Sequence, residues 1–190
     1  MHPLLILNEQ IKREADQILT EQGLLLHLVQ YGAPHVSGSF CLDLMTWRDL
    51  DIYLEADGLP ESDFFILGNN INTALNPVKM SYRNERNAQT KGLPRGLYWG
   101  IYLGNERTGA WKIDIWAVDK EECRRLLDYC KGIEKRLTPE SRLHILDIKS
   151  QCWQDPQYRR SYNSMDIYNA VLDEGVTDMQ GFREYLKAVH

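Results

Sequence analysis

Apolar residues recur along this chain with two periods, and the switch between them divides it. Between residues 8 and 30, Ile11, Ala15, Ile18, Leu19, Leu25, Leu26 and Val29 fall on one stripe at helical spacing, with Gly23 placed to break or kink the helix. Residues 33 to 39 read as a short strand ending in a Gly-Ser turn. Residues 48 to 55 form the clearest strand: Leu50, Ile52 and Leu54 face one way, and Asp49, Asp51 and Tyr53 the other. A helix is predicted over 62–75 and a strand over 77–85. A polar, Gly- and Pro-containing loop follows over 86–96. Strands over 97–103 and 111–118 are joined by turn residues at 104–109.

After residue 118 the period becomes helical. Cys123, Leu126, Leu127, Cys130, Ile133 and Leu137 share one stripe, and Asp119 is placed to cap it. Thr138-Pro139 restarts a helix with proline in its first turn, and Pro156 is expected to end it. A last helical region from about 161 to the end is expected to break at Gly175 and Gly181. The predicted fold class is α+β: a mixed sheet with flanking helices over 1–118, then a helical part over 119–190.

Composition narrows the picture. A chain of 190 residues, 43% hydrophobic and 26% charged, suits one domain or one domain with a small appendage. No apolar run is long enough to span a bilayer, and the short apolar start lacks a basic leader and a cleavage site. The expectation is a soluble, cytoplasmic protein with no membrane partner. The net charge is -5, from 22 basic and 27 acidic residues, which argues against nucleic acid as a partner. Cys41, Cys123, Cys130 and Cys152 form no CxxC pair. They read as buried free thiols rather than a zinc site or disulfides.

Three pieces of sequence carry chemistry: Gly38-Ser39, Asp49-Leu50-Asp51, and Asp114 within Lys112-Ile113-Asp114-Ile115. Nine residues separate Ser39 from Asp49. Two carboxylates two apart on a strand share a face, repel each other, and favour a divalent cation. Magnesium takes one or two carboxylates together with substrate phosphates. A third carboxylate on a neighbouring strand can hold a second ion or take a proton from a hydroxyl. A Gly-Ser turn lets backbone N–H groups approach phosphates closely.

These residues resemble the nucleotidyltransferase superfamily, whose pattern is Gly-(Gly/Ser), about ten residues, acid-hydrophobic-acid-hydrophobic, and a third acid on a later strand. Here that pattern is Ser37-Gly38-Ser39, Asp49-Leu50-Asp51-Ile52 and Ile113-Asp114-Ile115. Asp43 and Arg48 resemble the antibiotic-type branch. Phe40-Cys41-Leu42 departs from the minimal branch, and Ser37 stands where a hydrophobic residue is usual.

The resemblance implies Mg²⁺ on Asp49, Asp51 and Asp114, with Asp114 also placed as general base. It implies phosphate contacts from Gly38 and Ser39, with Arg48 and Lys112 as further nucleotide-binding candidates. It implies transfer of a nucleoside monophosphate from a nucleoside triphosphate such as ATP to a hydroxyl, releasing pyrophosphate. The acidic net charge points to a small hydroxylated acceptor, and a homodimer is a candidate assembly. An inactive nucleotide-binding protein and a protein-modifying transferase are the alternatives. His35 reads as a satisfied structural histidine; Tyr162, Asp166 and Tyr168 are weaker candidates for an acceptor pocket.

Overall fold

The computed structural model describes residues 2–189. The chain opens with α1 (Pro3–Asp16), a π-helical turn (Gln17–Glu21) and α2 (Leu24–Leu28). There follow β1 (Ala33–Ser37), the single turn α3 (Gly38–Cys41), β2 (Asp49–Glu55), α4 (Glu61–Leu75), β3 (Lys79–Asn84), the short α5 (Glu85–Ala88), β4 (Gly96–Tyr102) and β5 (Lys112–Val118). Four helices finish the chain: α6 (Lys120–Glu134), α7 (Pro139–Cys152), α8 (Ser164–Glu174) and α9 (Met179–Val189).

The strands form one five-stranded sheet in the order β1-β2-β5-β4-β3. β2 and β5 run parallel at its centre; the other neighbours are antiparallel. Strand alternation gives the sheet two unlike faces. Leu50, Ile52, Leu54, Ile113, Ile115, Ala117, Leu97 and Ile101 point one way, all fully buried, and pack on α1, α2 and α4 through Ile11, Leu24, Leu28, Phe64, Leu67 and Ile71. Gly68 lets α4 approach β4: a methyl group there would fall 2.7 Å from the Trp99 ring. Trp99 Nε1 donates to the Phe64 carbonyl at 2.9 Å, which fixes that contact. A second core joins α7, α8 and α9 to Leu42 and Leu44, from the segment between α3 and β2.

The mixed sheet with flanking helices is the predicted fold class, and differences of detail have local causes. The first helix begins at Pro3, because His2 caps it and proline suits its first turn. Gly23 does break it, at φ 75. Asp119 caps α6 by accepting from the Glu122 N–H at 2.8 Å. α7 stops at Cys152, ahead of Pro156. Gly175 ends α8 in the left-handed region, whereas Gly181 lies inside α9. The thiols are not uniformly hidden: Cys123 and Cys152 are buried, Cys130 is partly buried and Cys41 is exposed.

Candidate active site

The site is built by register. β1 pairs Ser37 with Asp51, and β2 pairs Asp49 with Lys112 and Asp51 with Asp114. The three aspartates therefore stand side by side on the face opposite the apolar core. Gly38 follows β1 at φ 62, in the left-handed region, and a Cβ there would fall 2.3 Å from Asp51 Oδ2. A larger residue would be strained and would displace that carboxylate. α3 is a single turn, and it presents Ser39 beside the acids.

Cations offset the repulsion between the carboxylates. Lys112 pairs with Asp114 and lies 3.8 Å from Asp49. Arg159, at φ 66 in the loop before α8, donates to Asp49 Oδ2 at 2.7 Å. The Tyr98 hydroxyl donates to Asp114 Oδ1 at 2.7 Å. Asp49 Oδ1 is hidden from solvent and has no hydrogen-bond partner. A buried acceptor left in this way fits a cation that can reach it. Among the described residues, the group of three His, Cys, Asp or Glu donors within 4.8 Å of one another is His35, Glu55 and Cys123. The aspartates are thus near neighbours rather than a closed cage.

Their electrostatics differ by position. Burial, then the charges of Asp49 and Asp114, push the Asp51 carboxyl up to about 7. Burial also acts on Asp49, but Lys112 and Arg159 outweigh it and hold that carboxyl below its ordinary value. Asp114 sits above its ordinary value, because burial and Asp49 outweigh Lys112. For Lys112, burial opposes the charge, yet Asp49 and Asp114 raise it overall. One carboxyl of the set is therefore poised to hold a proton near neutrality until a cation arrives.

A cleft of about 490 Å³ opens beside these groups, a size that suits a small ligand. Gly38, Ser39, Asp49 and Asp51 form one wall, and Arg125 and Tyr129 of α6 and Tyr168 of α8 stand across it. Lys149 of α7 is fully buried, donates to Ser39 Oγ at 2.6 Å, and lies 4.6 Å from the Trp47 ring centre. Tyr168 Oη is 3.4 Å from both Ser39 Oγ and Lys149 Nζ.

The structure brings together Gly38, Ser39, Asp49, Asp51, Lys112 and Asp114. Arg48 is turned elsewhere: its guanidinium binds Glu14 at 2.5 and 2.8 Å. Asp43 pairs with Lys12 and Arg142. Of the weaker candidates, Tyr168 lines the cleft, whereas Tyr162 donates to Asp155 and Asp166 caps α8. Lys149 and Arg159 were not picked out in the sequence. Lys149 did leave a signal: it lies four residues after Ile145 and three after Leu146, on the stripe those residues bury. Arg159 sits in a loop with no periodicity to read.

No family model matches the sequence, and no curated protein matches it. Among solved structures, the chain is similar to a cytoplasmic RNA terminal U-transferase, with a TM-score of 0.54 at 12% identity. The match covers 86% of this chain and 46% of that one, so the chain spans less than half the length of that enzyme. The likeness establishes a nucleotidyltransferase-type fold and does not support the antibiotic-type branch over others. It also corrects one expectation. That neighbour is named for action on RNA, so the fold is compatible with a nucleic-acid substrate. The expectation that nucleic acid is not a partner is overturned, and nothing here supports a small-molecule acceptor; that expectation rested on a whole-chain sum of charge, which is blind to local groups of cations. Among the described residues, no helix is long and apolar enough to cross a membrane.

Proposed function

We propose that this chain is a metal-dependent nucleotidyltransferase that joins a nucleoside monophosphate to an acceptor hydroxyl, with an RNA 3′ end as the acceptor. The reading is carried by the convergence of Asp49, Asp51 and Asp114 on one sheet face beside Gly38. Asp49 and Asp51 would hold Mg²⁺, with Asp114 as a further ligand; the bound ion would neutralise charge on the triphosphate. Asp49 Oδ1, buried without a hydrogen bond and with Lys112 Nζ 3.8 Å away, supports that fit.

The rest falls to the chain's own residues. Ser39 would bind the outer phosphates, with Gly38 allowing the backbone close and the buried Lys149 holding the Ser39 hydroxyl from behind. Asp114, fixed by Tyr98, would take the acceptor's proton as its oxygen bonds to the α-phosphorus. The bond from the α-phosphorus to the bridging oxygen breaks, and pyrophosphate leaves. Positioning and charge neutralisation supply most of the gain in such a displacement. The RNA reading draws on the neighbour's name and on Arg107 and Arg159, which flank a crevice beside Asp49 with Trp47 and Trp153.

A second reading is nucleotide binding without transfer. It is favoured by the two cations, Lys112 and Arg159, that already pair with the acids. Thermal unfolding with each of the four nucleoside triphosphates, with and without Mg²⁺, tests both readings when combined with label transfer to an RNA oligonucleotide. A magnesium-dependent rise in Tm that disappears in Asp49→Asn/Asp51→Asn, together with labelled RNA, is the expected result. A rise in Tm without labelled RNA selects the second reading. No rise with any nucleotide defeats both.

A further inference from the structure

The same sheet face carries a second cluster further along the strands. Asp51, Tyr53 and Glu55 follow one another on that face of β2, so Glu55 lies about 13 Å of strand beyond Asp51. His35 of β1 pairs with Tyr53 and leans diagonally toward Glu55; His35 Nε2 is 3.7 Å from Glu55 Oε2. Cys123 enters from α6, whose start is anchored over the end of β2. The Lys120 N–H donates to Asp57 Oδ1 at 2.8 Å, and the Cys123 N–H to the Asp119 carbonyl at 2.9 Å. The Cys123 side chain is fully buried. An imidazole nitrogen, a carboxylate oxygen and a sulfur from three elements thus meet within 4.8 Å of one another.

His35 is not the satisfied histidine its sequence position suggested. Its Nε2 is hidden from solvent and has no hydrogen-bond partner, and it points into this cluster. A buried polar atom in that condition calls for a partner. We propose that His35, Glu55 and Cys123 form a metal site for a zinc-class divalent ion, separate from the aspartates and independent of the transfer reading.

The donor chemistry selects the class. Nitrogen, sulfur and carboxylate oxygen together suit zinc, whereas magnesium and calcium want oxygen throughout. Ligand bonds of about 2.0–2.3 Å require the donors to draw in slightly, which small side-chain rotations achieve. On binding, the Cys123 thiol loses its proton to solvent and the sulfur lone pair forms the metal bond, with no change of oxidation state. The doubly charged ion, the thiolate and the carboxylate then sum to zero, which suits a site packed beside Val118 and Trp116. His35 and Glu55 are each about one-third exposed, and that side leaves the fourth position for water. The ion would pin α6 to β1 and β2, and α6 is a wall of the nucleotide cleft.

The test is a titration of the chelator-treated full chain with Co²⁺. We expect one equivalent to bind with a thiolate-to-cobalt charge-transfer absorption, and Zn²⁺ to displace it. Cys123→Ser and His35→Gln should each lose the band, while Cys41→Ser and Asp49→Asn/Asp51→Asn keep it. Because His35 is partly exposed, His35→Gln remains informative if Cys123→Ser fails to fold. No band in the native chain, a band surviving in either ligand variant, or a band lost in Cys41→Ser overturns the site.

Discussion

The two faces of the sheet are made from the same strands and obey opposite rules. In β2, Leu50, Ile52 and Leu54 are fully buried against apolar side chains, while Asp49, Asp51, Tyr53 and Glu55 alternate with them at partial exposure. In β5, Ile113, Ile115 and Ala117 are fully buried on the same apolar side, and on the other side Lys112 and Trp116 are themselves buried with only Asp114 partly exposed. The apolar face gains from every group it removes from water. The polar face crowds like charges and holds them with cations, an arrangement that costs stability unless something binds. Stability and chemistry are thus separated residue by residue along one strand.

The largest expected effect breaks the apolar face. Ile52→Ala removes a fully buried side chain from a central strand and should cost about 2–5 kcal/mol, read from urea unfolding. Asp49→Asn, three residues earlier and on the opposite face, gives up its pairing with Lys112 and Arg159 and should lower unliganded stability by clearly less than Ile52→Ala, while abolishing the magnesium-dependent nucleotide shift. Comparable losses of stability from both substitutions would show that the faces are not separate in role.

A smaller effect has its sign fixed by Asp51. Its carboxyl is pushed from an ordinary 3.8 up to about 7, so the folded form keeps a proton that the unfolded form releases between those values. Folding stability from this group therefore declines as pH rises through that window, and the loss is complete above it. Asp51→Asn cannot ionise. In the absence of metal it should melt higher than the native chain at pH 8, by a few degrees or on the order of 1 kcal/mol, with the gap closing by pH 4. Thermal melts across pH check this; a gap constant with pH would remove the charge explanation.

The legibility of the sequence follows the same division. β2, β5 and the three aspartates could be read directly, because alternation with period two states both faces at once. Gly23 and Asp119 were readable because a break and a cap depend on local chemistry. Lys149 was legible only as a lysine on a buried stripe; its contacts with Ser39, Trp47 and Tyr168 are made by the fold alone. Arg159 reaches Asp49 across 110 positions of sequence, from a loop without pattern. The expectation against nucleic acid failed for a related reason: net charge is a sum, and the cations at this site are local.

Arg159 sharpens the comparison further. Its guanidinium occupies Asp49 Oδ2, so a metal ion must compete with it there. The arginine is more than one-third exposed, which limits the pair to ~1 kcal/mol or less. Arg159→Ala should therefore tighten Mg²⁺ binding in the absence of nucleotide by up to about fivefold, measured by calorimetry. Unchanged or weaker binding would mean that Arg159 holds Asp49 in place for the ion and does not compete with it.

The smallest effect concerns Tyr98, which stands between the two roles: its ring packs tilted against Trp116, centres 4.6 Å apart, while its hydroxyl donates to Asp114. Tyr98→Phe keeps the ring and removes one hydrogen bond, so stability should fall by only about 1 kcal/mol. The chemical effect is distinct. The hydroxyl favours the ionised form of Asp114, and without it that carboxyl should rise further above its ordinary value. Under the proposed transfer, in which Asp114 takes the acceptor's proton, the acidic limb of the pH–rate profile should move up by about one unit or less, with the rate at high pH little changed. A uniform fall in rate at every pH would instead make Tyr98 a packing residue, and its hydroxyl would belong to the stability of the sheet.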